Sequence, residues 1–278
     1  HYSSRRQRQM CIRDSYKAPL KKLQGRGYAS GFWFNAGGES SAQVNITEDG
    51  NVVVTTGHPD IGGSRASIAN ITAELLGIDV NRVSVLIGDT ATIGFSNLTG
   101  GSRVLFASAL VVTESTNQVI DILKDRASKI WNIDKEAIEW ENGEARPAGD
   151  NAGKFKPLSL VELAEQATPT GGPIGAGHQV NTVGAEGGFA THICDVEVDI
   201  ELGIARVIRY TAAQDVGKAI HPAYVEGQLQ GGVVQGIGWA LNEEYIYNKE
   251  GKLDNPGFLD YRICLLYTSP SPRDKHHL

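Results

Sequence analysis

Sulfur is scarce in this sequence, with three cysteines and one methionine in 278 residues. Met10 and Cys11 lie in one terminal stretch and Cys264 in the other, which leaves Cys194 alone in the body of the chain. A single cysteine forms no intramolecular disulfide, so a disulfide-built scaffold is excluded and a reducing, cytoplasmic setting is expected. No apolar run approaches the roughly 18 residues of a membrane span. The net charge is −6 and no basic stripe is present, so neither a membrane nor a nucleic acid is an expected partner. Several catalytic signatures are also missing. Residues 149–155 lack the spacing and hydroxyl of a P-loop, and no G-x-S-x-G elbow occurs. No strand leads into G-x-G-x-x-G with an acidic residue downstream, which argues against a nicotinamide dinucleotide enzyme. His58, His178, His192 and His221 have no zinc-type spacing and read as structural or capping groups.

The two ends do not match the rest. Residues 1–15, HYSSRRQRQMCIRDS, show no apolar periodicity, and residues 264–278, CLLYTSPSPRDKHHL, follow a coherent segment abruptly. Both resemble translated sequencing-adapter sequence and are set aside from fold reasoning. Without them the net charge becomes −10. Residues 16–263 are then expected to be part of one domain, interior to a longer reading frame.

Glycine is abundant, at 33 residues, and falls in clusters ahead of helices rather than in a collagen period. Residues 31–38, GFWFNAGG, read as a buried strand or turn. Residues 41–46 alternate, Glu48-Asp49-Gly50 signals a turn, and residues 51–56 are β-branched, which predicts a hairpin. A helix over 64–76 follows, with Ser64 as N-cap, Ile68, Ile71, Leu75 and Leu76 on its apolar face, and Gly77 closing it. Residues 83–87 read as a short buried strand and 88–103 as a loop. A long helix over 102–129 places Leu105, Ala109, Val112, Thr116, Val119 and Leu123 on one face. Asn142-Gly143 predicts a second hairpin, Ser159 with Glu162 a capping box, and residues 168–179 a loop. A long hairpin over 190–213 leads to Gln214-Asp215-Val216-Gly217. Asp60, Asp89 and Asp215 sit in glycine loops and are expected to fix turns. The order of strand pairs and helices predicts an α+β fold of mixed β hairpins and sheets with packed helices.

Two stretches carry candidate chemistry. Gly-Gly-Ser-Arg occurs at residues 62–65 and again at 100–103, each time at a helix start. A helix N-terminus offers free N–H groups and the positive end of the dipole, and a nearby arginine adds a fork suited to phosphate. Two such turns suit a pyrophosphate-bearing ligand. The other stretch is 226–241, EGQLQGGVVQGIGWAL, where Leu229, Val233 and Ile237 form an apolar stripe and Pro222 suits the helix start. It nevertheless holds Gly227, Gly231, Gly232, Gly236 and Gly238. Each costs roughly 0.5–1 kcal/mol relative to alanine, so something must offset several kcal/mol. Gln228 and Gln235 share one face with Gly231 and Gly232 between them. A large polar cofactor on that face would account for the pattern. Tight packing through small residues would also explain the glycines, and a non-catalytic packing module is the rival it implies.

DIGGSR, TGGSR, QDVGKAIHPAYVEGQLQGGVVQGIGWALNEEY and NPGFLDYR, in this order, resemble the molybdopterin-binding large subunit of the xanthine dehydrogenase and aldehyde oxidase family of molybdenum hydroxylases. The resemblance spans residues 25–263. It implies the molybdenum-binding domain's fold and a molybdopterin cofactor in its cytosine dinucleotide form. It also implies hydroxylation of a carbon in a small-molecule substrate with water-derived oxygen, and 2Fe-2S and FAD groups on other domains or subunits. By the same resemblance, Ile61, Gly62, Gly63, Ser64 and Arg65 match the first cofactor loop, although many members carry glutamine where Gly63 stands. Thr99, Gly100, Gly101, Ser102 and Arg103 match the second. Gln228 heads the glycine-rich helix, and Gln235 follows it. The family's general-base glutamate lies beyond NPGFLDYR, so no catalytic residue is assigned. Glu243 and Glu244 do not match that residue and are expected to begin a surface strand. A fragment of this kind is expected to be inactive alone.

Overall fold

The computed structural model describes residues 23–263 except Thr90. The two adapter-like stretches lie outside the described residues. The chain divides into two compact units, one of residues 33–187 and one of the residues up to 32 together with those from 188 onward.

In the first unit, β2 (Gly38–Ile46) and β3 (Val52–Thr56) form the expected hairpin, with Ala42 opposite Thr56 and Ile46 opposite Val52. The chain then crosses through α1 (Ser64–Leu76) to β4 (Val83–Ile87), which runs parallel to β3. Parallel pairing needs such a crossover. β4 is the sheet edge, so Val83 and Val85 are buried while Leu86 and Ile87 are exposed. The expected buried strand is therefore only partly buried. α2 (Val104–Trp131) packs across β2 and β8 (Ile174–Thr182). It buries Val104, Ala107, Val111, Val112, Val119 and Leu123, whereas Leu105 and Ala109 of the predicted stripe are half-buried. Val44, Val52, Val54, Leu76, Val111 and Leu123 are fully enclosed at the centre of this core.

β8 corrects the loop expected over 168–179. Its glycines and His178 carry little strand propensity, but antiparallel pairing along the whole of β2 satisfies its backbone and buries Ile174. β5 (Ile138–Glu141) and β6 (Glu144–Pro147) turn at Asn142 and Gly143, with φ of 51° and 78°, as an Asn-Gly hairpin requires. β7 (Leu158–Ser159) joins β6, and α3 (Leu160–Glu165) and α4 (Ala167–Thr170) follow. The Ser159–Glu162 capping box forms in both directions.

In the second unit, β1 (Gln24–Asn35), β9 (Ala185–Asp199) and β10 (Ile204–Gln214) make a three-stranded sheet in the order β1-β9-β10, and α5 (Pro222–Leu241) packs against β10. Pro222 opens the helix as predicted. Among the described residues of this unit no apolar side chain is buried. The best-enclosed side chain is Asp195, 2% exposed, held by Arg26 Nη2 at 2.8 Å and Arg209 Nε at 2.9 Å. That triad ties together all three strands. Residues 243–263 are mostly irregular, with one bridge between Tyr247 and Leu253. Glu243 and Glu244 thus begin no strand; Glu243 accepts the Tyr261 hydroxyl at 2.9 Å. No helix among the described residues is long and apolar enough to cross a membrane.

Candidate functional site

Both Gly-Gly-Ser-Arg turns stand at helix N-termini. In the first, Gly62 and Gly63 take φ of 62° and 76°, left-handed backbone that side chains disfavour. Gly63 is the N-cap and Ser64 the first helical residue, which corrects the predicted Ser64 cap. The Ser64 hydroxyl instead donates to the Pro59 carbonyl at 3.3 Å. Asp60 takes over the cap: its Oδ1 accepts the Arg65 N–H at 3.0 Å, and its carboxylate lies 3.6 Å from the Arg65 guanidinium. One orphan N–H of the helix is thereby satisfied by the loop's own carboxylate. Arg65 is half exposed, and Ile61 is exposed beside it.

In the second turn, Thr99 and Gly100 lie in irregular backbone, Gly101 and Ser102 have φ of 63° and 57°, and Arg103 caps α2. A left-handed serine is held against its preference. The Ala36 N–H donates to the Gly101 carbonyl at 2.8 Å and Asn35 Nδ2 to the Ser102 carbonyl at 2.9 Å, which fix the turn. Arg103 does not serve as the exposed anion fork that the sequence predicted. It is 2% exposed, and its guanidinium donates inward to backbone carbonyls. The same four letters therefore place one arginine at the surface and bury the other.

The segment expected to be buried, residues 31–38, exposes Phe32, Trp33 and Phe34. Trp33 and Phe34 stack at 5.2 Å, and Phe34 reaches within 3.7 Å of where a Cβ on Gly101 would stand. Phe95 and Leu98, in the loop before this turn, are also largely exposed. The second turn thus offers backbone polar groups beside aromatic and apolar side chains, a combination suited to a flat, polar-edged ligand.

On α5, Gln228 and Gln235 are exposed, and Leu229, Val233 and Ile237 are half-buried. A Cβ added at Gly227, Gly231, Gly232 or Gly236 would meet nothing within 4 Å. Packing against the described residues therefore does not account for those four glycines. Gly238, in contrast, is buried. The result is an open, side-chain-free cradle with an amide at each end, which fits a large polar group.

The remaining candidates make local contacts. The Asp89 carboxylate accepts the N–H groups of Ala91 and Thr92, and that of Asp215 accepts the N–H of Gly217. His192 meets the Tyr210 hydroxyl at 3.0 Å, and His221 stands at the N-cap position of α5 without a side-chain capping bond and stacks on Tyr224 at 3.9 Å. Among the described residues no cluster of three metal-ligating side chains occurs. Burial pushes the Cys194 thiol pKa up, with Asp195 adding to the shift, so this cysteine is a poor nucleophile. A depression of about 440 Å³ beside the β9–β10 turn, touching Leu23 and Arg206, contains none of the predicted site residues.

The model for the molybdopterin cofactor-binding domain matches residues 1–270. The chain belongs to that family. Its homologues are large subunits of the xanthine dehydrogenase and aldehyde oxidase family. It is 29% identical over 246 residues to the nicotine 6-hydroxylase large subunit of Paenarthrobacter nicotinovorans, covering 85% of this chain and 30% of that protein. It is 28% identical over 249 residues to the putative xanthine dehydrogenase molybdenum-binding subunit of Escherichia coli, covering 85% and 32%. Its fold matches quinoline 2-oxidoreductase from Pseudomonas putida with a TM-score of 0.76 at 26% identity, over 91% of this chain and 34% of that one. A copper- and molybdenum-containing CO dehydrogenase matches with a TM-score of 0.81 at 20% identity, over 98% of this chain and 36% of that one. The domain therefore spans about a third of the length of these relatives.

Proposed function

We propose that this domain is the molybdopterin-holding part of a molybdenum hydroxylase that oxidises a carbon centre in a small molecule with water-derived oxygen. The observation that carries the reading is the open glycine cradle on α5, with Gln228 and Gln235 exposed along it. Those amides both donate and accept, which suits the mixed edge of a pterin or a cytosine base. Taken by themselves, the turns Ile61–Arg65 and Thr99–Arg103 of the first unit would present backbone N–H groups to a pyrophosphate, with Arg65 as the exposed cation. Phe34 and Leu98 would exclude water at the second turn. When bound, the molybdenum–pterin group supplies the oxygen- and electron-transfer chemistry. The chain's own residues bind, orient and desolvate it. No residue here is given a proton-transfer role. Electrons would leave through 2Fe-2S and FAD groups on partner subunits or other domains. In support, the relatives' names include a 6-hydroxypseudooxynicotine dehydrogenase complex subunit and aldehyde oxidases.

The test is molybdenum and cytidine monophosphate content of the full-length enzyme that contains this domain. Gln228→Ala together with Gln235→Ala should lower both by about tenfold, the effect of losing roughly 1.4 kcal/mol of binding. Unchanged molybdenum in that variant would favour the packing-module reading instead.

A further inference from the structure

The buried arginine of the second turn leads to a coupling between the two turns. Arg103 donates from every nitrogen: Nε to the Gly37 carbonyl at 2.7 Å, Nη1 to the carbonyls of Asn97 and Leu98 at 3.0 and 3.2 Å, and Nη2 to the Glu39 carbonyl at 2.7 Å and the Ser40 hydroxyl at 3.0 Å. A guanidinium carries five N–H groups, so this fork is saturated. None of its acceptors is a carboxylate. Enclosing a cation among carbonyls is costly, so a segment assembled this way is tightly specified.

Ser40 is a second node. Its hydroxyl is fully buried, accepts from Arg103, and lies 2.9 Å from His58 Nε2. His58 is 1% exposed and opens the segment that leads into the first turn. Burial, reinforced by the Arg103 charge, pushes its pKa down to about 4, so the imidazole is neutral at neutral pH. His58 Nδ1 is buried, with no hydrogen-bond partner among the described residues. Ser40 thus links the Arg103 guanidinium to the His58 ring.

Between the two turns the chain departs through α1 and β4 and returns through irregular backbone that includes residues 91–99, so nothing local in sequence sets their spacing. We infer that Arg103, Ser40 and His58 are positioning residues: a buried hydrogen-bond relay that locks residues 100–103 to residues 58–63, so that the two glycine turns move as one body. Their service to a ligand rests on the reading that both turns hold one molybdopterin. The coupling itself does not.

The experiment follows amide hydrogen exchange in the whole 278-residue chain without cofactor, in His58→Leu and His58→Gln. Leucine keeps an apolar group in the buried position and deletes the unpartnered Nδ1; glutamine restores an amide that can reach Ser40. Leucine should speed exchange about three- to tenfold at both 58–63 and 97–103, the scale of one lost hydrogen bond, while residues 111–123 keep their protection. Glutamine should return both segments towards the parent. Unchanged exchange at 97–103 in the leucine variant, or no recovery with glutamine, overturns the relay. Should the leucine variant lose protection at 111–123 too, Ser40→Ala carries the same expectation, and loss of core protection there as well counts against the relay. In the full-length enzyme, His58→Leu should also release molybdenum on dialysis, and His58→Gln should retain it. Coupled turns with molybdenum unaffected would overturn the positioning role and the shared molybdopterin site, and leave the relay standing.

Discussion

Replacing Gly227, Gly231, Gly232 and Gly236 of α5 by alanine should move stability and cofactor retention in opposite directions. An added Cβ at each position meets nothing within 4 Å among the described residues, so no steric cost arises from them. Helix propensity then acts alone, at about 0.5–1 kcal/mol for each position and roughly 2–4 kcal/mol for the four. Part of that gain comes from the narrower unfolded ensemble. Gly238 stays unchanged because it is buried. Thermal melting of the whole chain should show the midpoint rising by roughly 2–4 °C for each kcal/mol gained, with slower amide exchange along residues 222–241. In the full-length enzyme the same methyl groups would occupy the cradle, and molybdenum per protein should fall by about tenfold or more. A stability loss in the isolated chain would mean that the glycines answer a packing need within it. Undiminished molybdenum in the full-length variant would refute the cradle reading.

Other expectations are narrower. Arg103→Met leaves the carbonyls of Gly37, Glu39, Asn97 and Leu98 without their donor and should cost about 3–5 kcal/mol in urea unfolding, whereas Arg65→Met, at the surface, should stay within about 0.5 kcal/mol. Asp195→Asn strips the charge shared by Arg26 and Arg209 and should cost about 3–5 kcal/mol. The hydrogen bond from Arg26 holds the Asp195 carboxyl below its ordinary range. Its contribution is therefore complete above the unfolded value near pH 4 and is lost as pH falls below it, so the penalty of Asp195→Asn should shrink in urea titrations at about pH 3. Ser159→Ala removes one half of the capping box and should cost about 1 kcal/mol, read from the same urea midpoints.

Local chemistry in the sequence was enough to determine several features. The Asn142-Gly143 turn, the Ser159–Glu162 box, the Pro222 helix start and the β2–β3 hairpin each depend on a few adjacent residues whose backbone preferences agree. The glycine-rich helix and its exposed glutamines were legible for the same reason. Tertiary structure decided the rest. β8 is a strand because β2 lies along it, not because its glycines favour one. Phe32, Trp33 and Phe34 are apolar, yet the described residues leave them largely exposed. The clearest division lies between Arg65 and Arg103. Identical tetrapeptides predicted identical roles, but the carbonyls of Gly37 and Glu39 and the hydroxyl of Ser40 converge on only the second arginine. No local pattern encodes that convergence, because those acceptors stand more than sixty residues away along the chain.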